Sequence, residues 1–366
     1  MTVARQDLAP EPPDWMDALV ALGVRYDASP RFPTESLDRL RAAGLMTRFA
    51  PERSGGDAFD TAEAQALAMM DALREVGRAD LSVGRIFEGH LNALALFDWY
   101  ATPAQLAWLA QALTRGCVFG VWATEPPPGV RLGDAGRLEG RKIFATGAGS
   151  LDYALITAAP ERGERRLCLV AADDPSRTDL GAWRVRGMKA TVSGSYDVSG
   201  MIAEPWALLG EPGDYDREPR FTAGAWRFTA VQLGGVEALV MALRDGLSDA
   251  ARQDPLQRMK FIEAATAART AHLWVREAAR RFAEGAPGAE DVARVTRGVV
   301  ERAALDVMER AARAIGTRSA FDGERIDKVS RDLSLYLRQA QPDQVRDQAA
   351  QAWLRSDIWG DGGALW

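Results

Sequence analysis

The hydrophobic period of the sequence changes twice, and the order of these periods constrains the fold more than any other feature. Residues 13–115 repeat apolar positions at three and four, which is the helical period. Residues 116–210 shift towards a period of two, with short apolar runs separated by Gly, Pro and Asp. From about residue 221 the helical period returns. We therefore expect a mainly α protein with a central antiparallel β domain.

The helical regions also carry start signals and a long apolar stripe. In "SLDRLRAAGL" and "AEAQALAMMDALREVGRA", Ser36 and Thr61 stand where N-caps are expected. We expect three domains: a helical domain at 1–115, a β domain at 116–215 and a helical bundle at 216–366. The stripe expected to face the bundle core consists of Val292, Val295, Val299, Ala303, Val307, Ala311 and Ile315.

Charge and cysteine content exclude several classes of partner and site. The net charge is −6 and basic residues are interspersed with acidic ones, so we expect neither a nucleic acid partner nor an anionic membrane partner. Cys117 and Cys168 lie far apart without a CxxC pair, which argues against a disulfide framework or a metal site. No long apolar stretch begins or interrupts the chain, and we expect a cytoplasmic protein.

Five motifs follow one another along the chain: "LDRLRAAGLMTRFAPERSGG", "FGVWATEPPPGVRL", "EGRKIFATGAGSLDYALITA", "GMKATVSGSYDVSG" and "RAIGTRSAFDGERIDKVSRDLSLYLRQAQPD". In this order and spacing they resemble motifs of the acyl-CoA dehydrogenase superfamily of flavoproteins. The resemblance implies an N-terminal helical domain, a middle antiparallel β-barrel and a C-terminal four-helix bundle. It implies FAD between the β domain and the bundle, in a homodimer or homotetramer. The cofactor-binding residues implied are Val121, Ala123, Thr124, Phe144, Thr146 and Gly316.

The stretch around Thr124 is chemically suited to that cofactor. A reduced flavin carries negative charge along its pyrimidine edge, so the site needs hydrogen-bond donors there. An extended run from Val121 to Thr124 offers backbone N–H groups and a hydroxyl, and Pro126 to Pro128 stop the strand beyond it. Alternatively, Thr124 caps a turn and Pro126 merely ends a strand. The expected neighbouring hairpin, with Phe144 and Thr146, favours the flavin interpretation.

The sequence departs from the resembled pattern where a dehydrogenase has its base. Such enzymes remove a substrate α-proton with a Glu, but the corresponding runs here are 339–341, Gln-Ala-Gln, and 224–225, Gly-Ala. His90 is a candidate for acid–base work, with a structural histidine as the alternative. Arg227 is a candidate contact for an anionic ligand, with a solvated face or a subunit contact as the alternative.

Three functions follow from these observations. The first is an FAD-dependent oxidoreductase that acts on a CoA-bound or carrier-bound acyl group with a displaced base. The second is a flavin monooxygenase of the same fold, which needs no α-proton base and which the missing glutamates favour. The third is a non-catalytic descendant of the fold.

Overall fold

The computed structural model describes residues 14–339 and 341–355. Its elements follow the expected order of helices, strands and helices. The first helices are α1 (Asp14–Ala28), α2 (Thr34–Ala42), α3 (Leu45–Arg48), α4 (Ala62–Ala79), α5 (Leu81–Tyr100) and α6 (Pro103–Thr114). The strands are β1 (Phe119–Trp122), β2 (Arg131–Leu132), β3 (Leu138–Glu139), β4 (Arg141–Ala145), β5 (Tyr153–Ala158), β6 (Arg166–Ala171), β7 (Thr178–Asp179), β8 (Gly194–Asp197) and β9 (Leu208–Leu209). The last helices are α7 (Arg220–Ala223), α8 (Trp226–Gly246), α9 (Asp249–Gln253), α10 (Pro255–Glu284), α11 (Ala289–Ile315), α12 (Arg325–Tyr336) and α13 (Pro342–Arg355).

One of the two expected N-caps is confirmed. Thr61 caps α4, because its side chain accepts a hydrogen bond from the backbone N–H of Ala64. The Ser36 cap is wrong: α2 begins at Thr34, and Ser36 lies buried inside the helix. Helix α2 therefore starts directly after Pro33, whose ring fixes the backbone φ angle at that position.

The middle region is less regular than the expected antiparallel barrel. Its strands form three separate sheets, ordered β1-β5-β6-β9, β2-β3 and β4-β8-β7, and no closed barrel forms among the described residues. β1 and β5 run parallel, whereas β4 pairs with β8. The expected hairpin between β4 and β5 is therefore wrong. The long connection between β1 and β5 returns the chain to the same end, which parallel pairing requires.

The helical bundle draws on both ends of the chain. α4 packs against α8 and α10, and α8, α10 and α11 pack against one another, so the N-terminal region contributes a helix to the core of the bundle. Gly77 on α4 and Gly234 on α8 allow this contact, because a Cβ at either glycine would collide with the backbone of the facing helix. The α11 stripe faces inwards at Val292, Ala303, Val307 and Ala311, which are all buried.

A membrane-spanning helix must be about 20 residues long and predominantly apolar. None of the helices within residues 14–339 and 341–355 is both long and apolar enough to cross a bilayer.

Candidate functional site

The edge of β1 that does not pair with β5 is the first component of the candidate site. β1 is the edge strand of its sheet, and its Phe119–Trp122 run pairs only with β5 among the described strands. The N–H of Phe119 points away from β5, because it donates to His90 Nδ1 at 3.1 Å. Alternate N–H groups of an extended chain point the same way, so the N–H of Val121 lies on this edge too, with Ala123 next in the same direction. This edge is where we expected cofactor contacts.

The strand ends slightly earlier than the sequence indicated. Regular pairing stops at Trp122, and Ala123 and Thr124 continue the chain outside the ladder. The Thr124 side chain is exposed. The backbone carbonyl of Thr124 accepts a hydrogen bond from the N–H of Ile143 at 2.9 Å. This bond holds the end of β1 beside β4, so the two segments are neighbours although they belong to different sheets.

Phe144 on β4 has an unusual backbone and an unusual exposure. Its φ is +53°, and 66% of its side chain area is exposed. The register of β4 against β8 shifts between Lys142 and Ala145, which is how a bulge re-aims a side chain. A left-handed non-glycine residue costs about 1 kcal/mol or more, and such strain is found most often at functional sites. The exposed ring lies next to Ile143, which is bonded to Thr124.

Thr146 is fixed from two directions. Its carbonyl accepts from Trp122 Nε1 at 3.0 Å, and its hydroxyl accepts from Ser193 Oγ at 3.4 Å. Ser193 in turn contacts Thr191 Oγ1 at 2.9 Å, and Thr191 donates to the carbonyl of Met188 at 2.8 Å. The Met188 N–H is bound by the carboxylate of Asp332 on α12, at 2.5 Å. This continuous chain of hydrogen bonds connects Thr146 with the helical bundle.

A buried ion pair supports the turn after Thr124. The Lys142 ammonium is completely buried and pairs with Glu125, and it also donates to Thr157 Oγ1 at 3.0 Å. Burial lowers the pKa of Lys142, and the Glu125 carboxylate opposes this effect. The ion pair links the Thr-Glu-Pro turn, which contains Glu125, to β4, which contains Lys142. Sequence reasoning missed it, because the partners are 17 positions apart on segments with no shared period.

His90 is placed in the core and not at the candidate site. It is completely buried on α5; Nε2 is 2.7 Å from the carbonyl of Met46, and Nδ1 accepts from the N–H of Phe119. Burial lowers its pKa to about 4, so the ring is neutral at ordinary pH. Both nitrogens are used by buried backbone groups, and we therefore assign His90 a structural role instead of the catalytic role expected from the sequence.

Gly316 stands apart from the other expected cofactor residues. It follows α11, and its φ of +70° and ψ of −150° belong to a region that essentially only glycine adopts. Its neighbour Ile315 packs against Gly246 at the end of α8. Within the described residues no contact joins Gly316 to Thr124, Phe144 or Thr146. A contact between Gly316 and the same cofactor stays a prediction that requires a second subunit.

Four carboxylates are further candidates for the base that the sequence lacks at its expected positions, and each is engaged in an ion pair or exposed. Asp332 is buried against Lys328, and Glu237 is bound by Arg74 at 2.9 Å. Asp343 is exposed on α13. Glu88 is buried on α5, where it accepts from Arg85 and Asn92. Acyl-CoA dehydrogenases have their catalytic base at positions that correspond to 339–341. This chain has Gln339 and Gln341 there, on either side of Ala340, which lies outside the described residues.

Comparison with known proteins gives related sequences and a shared fold. No protein-family model matches the chain. It is 27% identical over 207 residues to a dibenzothiophene monooxygenase of Mycolicibacterium goodii, covering 52% of the chain and 48% of that protein. It is 26% identical over 208 residues to the putative acyl-CoA dehydrogenase YdbM of Bacillus subtilis, covering 50% of the chain and 52% of that protein. The chain thus spans about half the length of the curated relatives it matches.

A solved structure covers nearly the whole described fold. TdsC from Paenibacillus sp. A11-2, in complex with FMN and indole, matches with a TM-score of 0.82 at 21% identity. The match covers 93% of the chain and 95% of TdsC. At this identity the match shows a common fold, with helices, a central β region and helices in the same order.

Proposed function

We propose that this chain, a member of the acyl-CoA dehydrogenase superfamily, is a flavin-dependent oxidoreductase that holds an isoalloxazine ring against the β1 edge, Phe144 and Thr146. The observation that carries the proposal is the exposed, strained Phe144 beside the edge of β1 that does not pair with β5. The side chains of Thr124 and Phe144, which flank this edge, are exposed. The residues present fit a flat ring with an electron-rich edge.

Each residue has a defined task in this proposal. The N–H groups of Val121 and Ala123 and the hydroxyl of Thr124 would donate to the pyrimidine edge, where negative charge develops. Phe144 would cover one face of the ring, and Thr146, fixed by Trp122, would bound its far side. When bound, the flavin supplies hydride transfer and, once reduced, reaction with oxygen. The protein supplies orientation and donors.

Monooxygenation is the reaction that the site supports best. Removal of an α-proton from an acyl thioester requires a positioned base, and the runs 339–341 and 224–225 contain no carboxylate. Oxygen transfer to a small molecule does not require one. The similarity to the dibenzothiophene monooxygenases supports the same reaction class.

Acyl-CoA dehydrogenation is the second candidate, and Glu88 is the observation that favours it. Glu88 is a buried carboxylate on α5, at the interface between α5 and α8. As a base it would have to leave Arg85 and Asn92, which both donate to it. The substrate would then be a CoA-bound or carrier-bound acyl group.

We infer that the cofactor is FAD, in a homodimer or homotetramer. An adenosine end would be needed to reach Gly316, which lies away from Thr124 and Thr146 in the same chain. TdsC is described with FMN, so the two flavins must be compared directly. Flavin-free protein is titrated with FAD and with FMN, and the proposal expects tighter binding of FAD.

The pocket is tested by removing two hydroxyls. The double variant Thr124→Val, Thr146→Val should bind flavin at least about fivefold more weakly, because the hydrogen bond from Thr124, of about 1 kcal/mol, is lost and the polar boundary at Thr146 is removed. Thr114→Val on α6 is the matched control, since Thr114 bonds only to the carbonyl of Ala110 on its own helix. An unchanged flavin affinity in the double variant would refute the assigned pocket. If the wild type binds no flavin, the chain is the non-catalytic descendant.

The reaction is tested with the flavin-loaded protein. Monooxygenation predicts oxygen consumption and an oxygenated product with an external reductase, and no bleaching of the oxidised flavin by acyl-CoA under anaerobic conditions. Dehydrogenation predicts the opposite pattern, and Glu88→Gln should then abolish the bleaching. The two outcomes exclude each other for a given substrate.

A further inference from the structure

A row of four polar side chains crosses the interface between α5 and α8. Glu88 accepts from Arg85 and from the amide of Asn92, and the Asn92 carbonyl oxygen accepts from Arg227 Nη1 at 3.4 Å. The row is well buried, with exposed fractions of 3% for the Glu88 side chain and 6% for Arg227. It contains two guanidinium groups and one carboxylate. A buried positive charge is therefore left without a counter-ion within the row.

Arg227 is the group that holds this charge. No carboxylate of the described residues lies within ion-pair distance of its guanidinium. Burial lowers its pKa to about 10, and Glu88 only partly opposes this effect. The side chain nevertheless stays cationic near neutral pH. Sequence reasoning preferred a solvated face or a subunit contact for Arg227, and the structure places it in the interior instead.

Two other buried ammonium groups, those of Lys142 and Lys328, are paired with carboxylates. Lys328 lies between Asp80, at 2.8 Å, and Asp332, at 2.7 Å. A buried charge without a partner is costly, and natural proteins keep one mainly where function requires it. The contrast with Lys328 indicates that the imbalance at Arg227 has such a reason.

The surroundings of Arg227 consist of aromatic rings and unused donors. The guanidinium carbon is 5.4 Å from the ring centres of Trp99 and Trp226 and 4.9 Å from that of Phe282. These rings stabilise the cation but offer no acceptor in the plane of its N–H groups. Arg227 Nε and Trp226 Nε1 are both buried without a hydrogen-bond partner among the described residues. Two neighbouring donors thus lack an acceptor.

Helix α5 connects the row with the β1 edge of the proposed flavin site. α5, which carries Glu88 and Asn92, is bonded to the β1 edge through His90 and Phe119. The half-buried Trp99 also contacts the exposed Arg220, whose guanidinium carbon is 5.3 Å from the same ring. A second positive charge therefore stands at the surface, beside the ring that covers Arg227. Such an arrangement attracts anions from solution.

We propose that Arg227 binds an anionic oxygen group of the substrate, of the carboxylate, sulfinate or sulfonate class, with Trp226 Nε1 as a second donor. The proposal rests on the proposed function, since it names the substrate of that site. Two oxygens of such a group match the paired N–H donors of a guanidinium. The aromatic rings around Arg227 would contact the apolar part of the same molecule. A neutral isostere would leave the guanidinium unpaired.

The test compares anions with neutral molecules of the same shape. Benzoate and benzamide, and methanesulfinate and dimethyl sulfoxide, are titrated into wild-type protein by calorimetry, with and without bound flavin. Each anion should bind at least about tenfold more tightly than its neutral counterpart, which corresponds to about 1.4 kcal/mol. Arg227→Gln should abolish this preference, and Arg227→Lys should retain part of it. Equal binding of anion and neutral counterpart, or no binding of any anion at millimolar concentration, would overturn the proposal.

Two controls keep the test independent of folding and of the flavin. Arg244→Gln changes an exposed arginine on the same helix, paired with Asp245 at 2.8 Å, and should leave the preference unchanged. Arg227→Gln should keep or raise the unfolding temperature, because it removes an unpaired buried charge. If Arg227→Gln does not fold, the Arg227→Lys variant tests the proposal instead. The proposal expects this variant to show a weaker anion preference than the wild type, because lysine has no guanidinium group. An unchanged preference would contradict the proposal. Anion binding to flavin-free protein is measured separately, so a failure to bind flavin is not confused with a failure to bind anions.

Discussion

The pH dependence of stability tests the structural role of His90. The pKa of the folded-state imidazole is lowered from 6.5 to about 4 by burial, whereas the unfolded chain has the ordinary value. Between these two pH values the unfolded state binds a proton that the folded state does not. Stability therefore falls as the pH drops through 6.5 and levels off below about 4. At 1.36 kcal/mol per pKa unit, the full loss is about 3 kcal/mol.

The effect is isolated by comparing wild type with His90→Gln, which cannot titrate in this range. The Gln variant should be less stable at pH 8, because its flexible chain loses the packing of the buried ring and positions its amide less firmly between the Met46 carbonyl and the Phe119 N–H. At pH 5 the wild type has lost about 2 kcal/mol, and the difference between the two proteins should shrink by that amount. Urea unfolding of flavin-free protein, followed by tryptophan fluorescence and circular dichroism, measures it at both pH values.

His272→Gln is the matched control. His272 lies on α10, with Nδ1 3.7 Å from Glu237. Its replacement leaves the contacts of His90 with Met46 and Phe119 in place, so it should not reproduce the shrinking difference at pH 5. The reasoning is refuted if the difference between wild type and His90→Gln is the same at pH 8 and pH 5. It is also refuted if His90→Gln abolishes turnover while flavin binding and folding stay intact.

Two further predictions concern the β4 segment. Phe144→Gly should raise the free energy of unfolding by up to about 1 kcal/mol, because glycine adopts positive φ without strain, and it should weaken flavin binding. Phe144→Ala keeps the strain, so it should weaken flavin binding without raising the stability. Thermal unfolding and flavin titration of both variants check this, and equal unfolding temperatures would contradict it. Lys142→Met should cost about 3–5 kcal/mol, because it leaves the Glu125 carboxylate without its cation. Lys142→Met combined with Glu125→Gln should recover part of that loss in denaturant unfolding, and no recovery would mean that the pair contributes through packing alone.

Much of the fold could be predicted from the sequence, because local pattern carries the information. Apolar residues at the helical period bury one face of a helix wherever that helix docks, so the order of helices, strands and helices was correct. The Thr61 cap was also correct, since its hydrogen bond to Ala64 lies within four residues. Ser36 failed as a cap because the competing Pro33 starts the helix earlier. The sequence placed Thr124, Phe144 and Thr146 near one another through the resemblance of their motifs to a known family. The rules of strand pairing did not predict this, since the expected hairpin between β4 and β5 is absent from the described sheets.

Partner choice was decided by tertiary structure. The period of an element shows which face is buried but not which surface covers it, so the sequence did not reveal that α4 joins the bundle or that β1 pairs with β5 in parallel. The same limit applies to single side chains. His90 and Arg227 read alike as candidate polar site residues, but folding gives His90 two backbone partners and leaves Arg227 without a carboxylate. The free energy of a buried polar group depends on those long-range partners, and only the assembled chain supplies them.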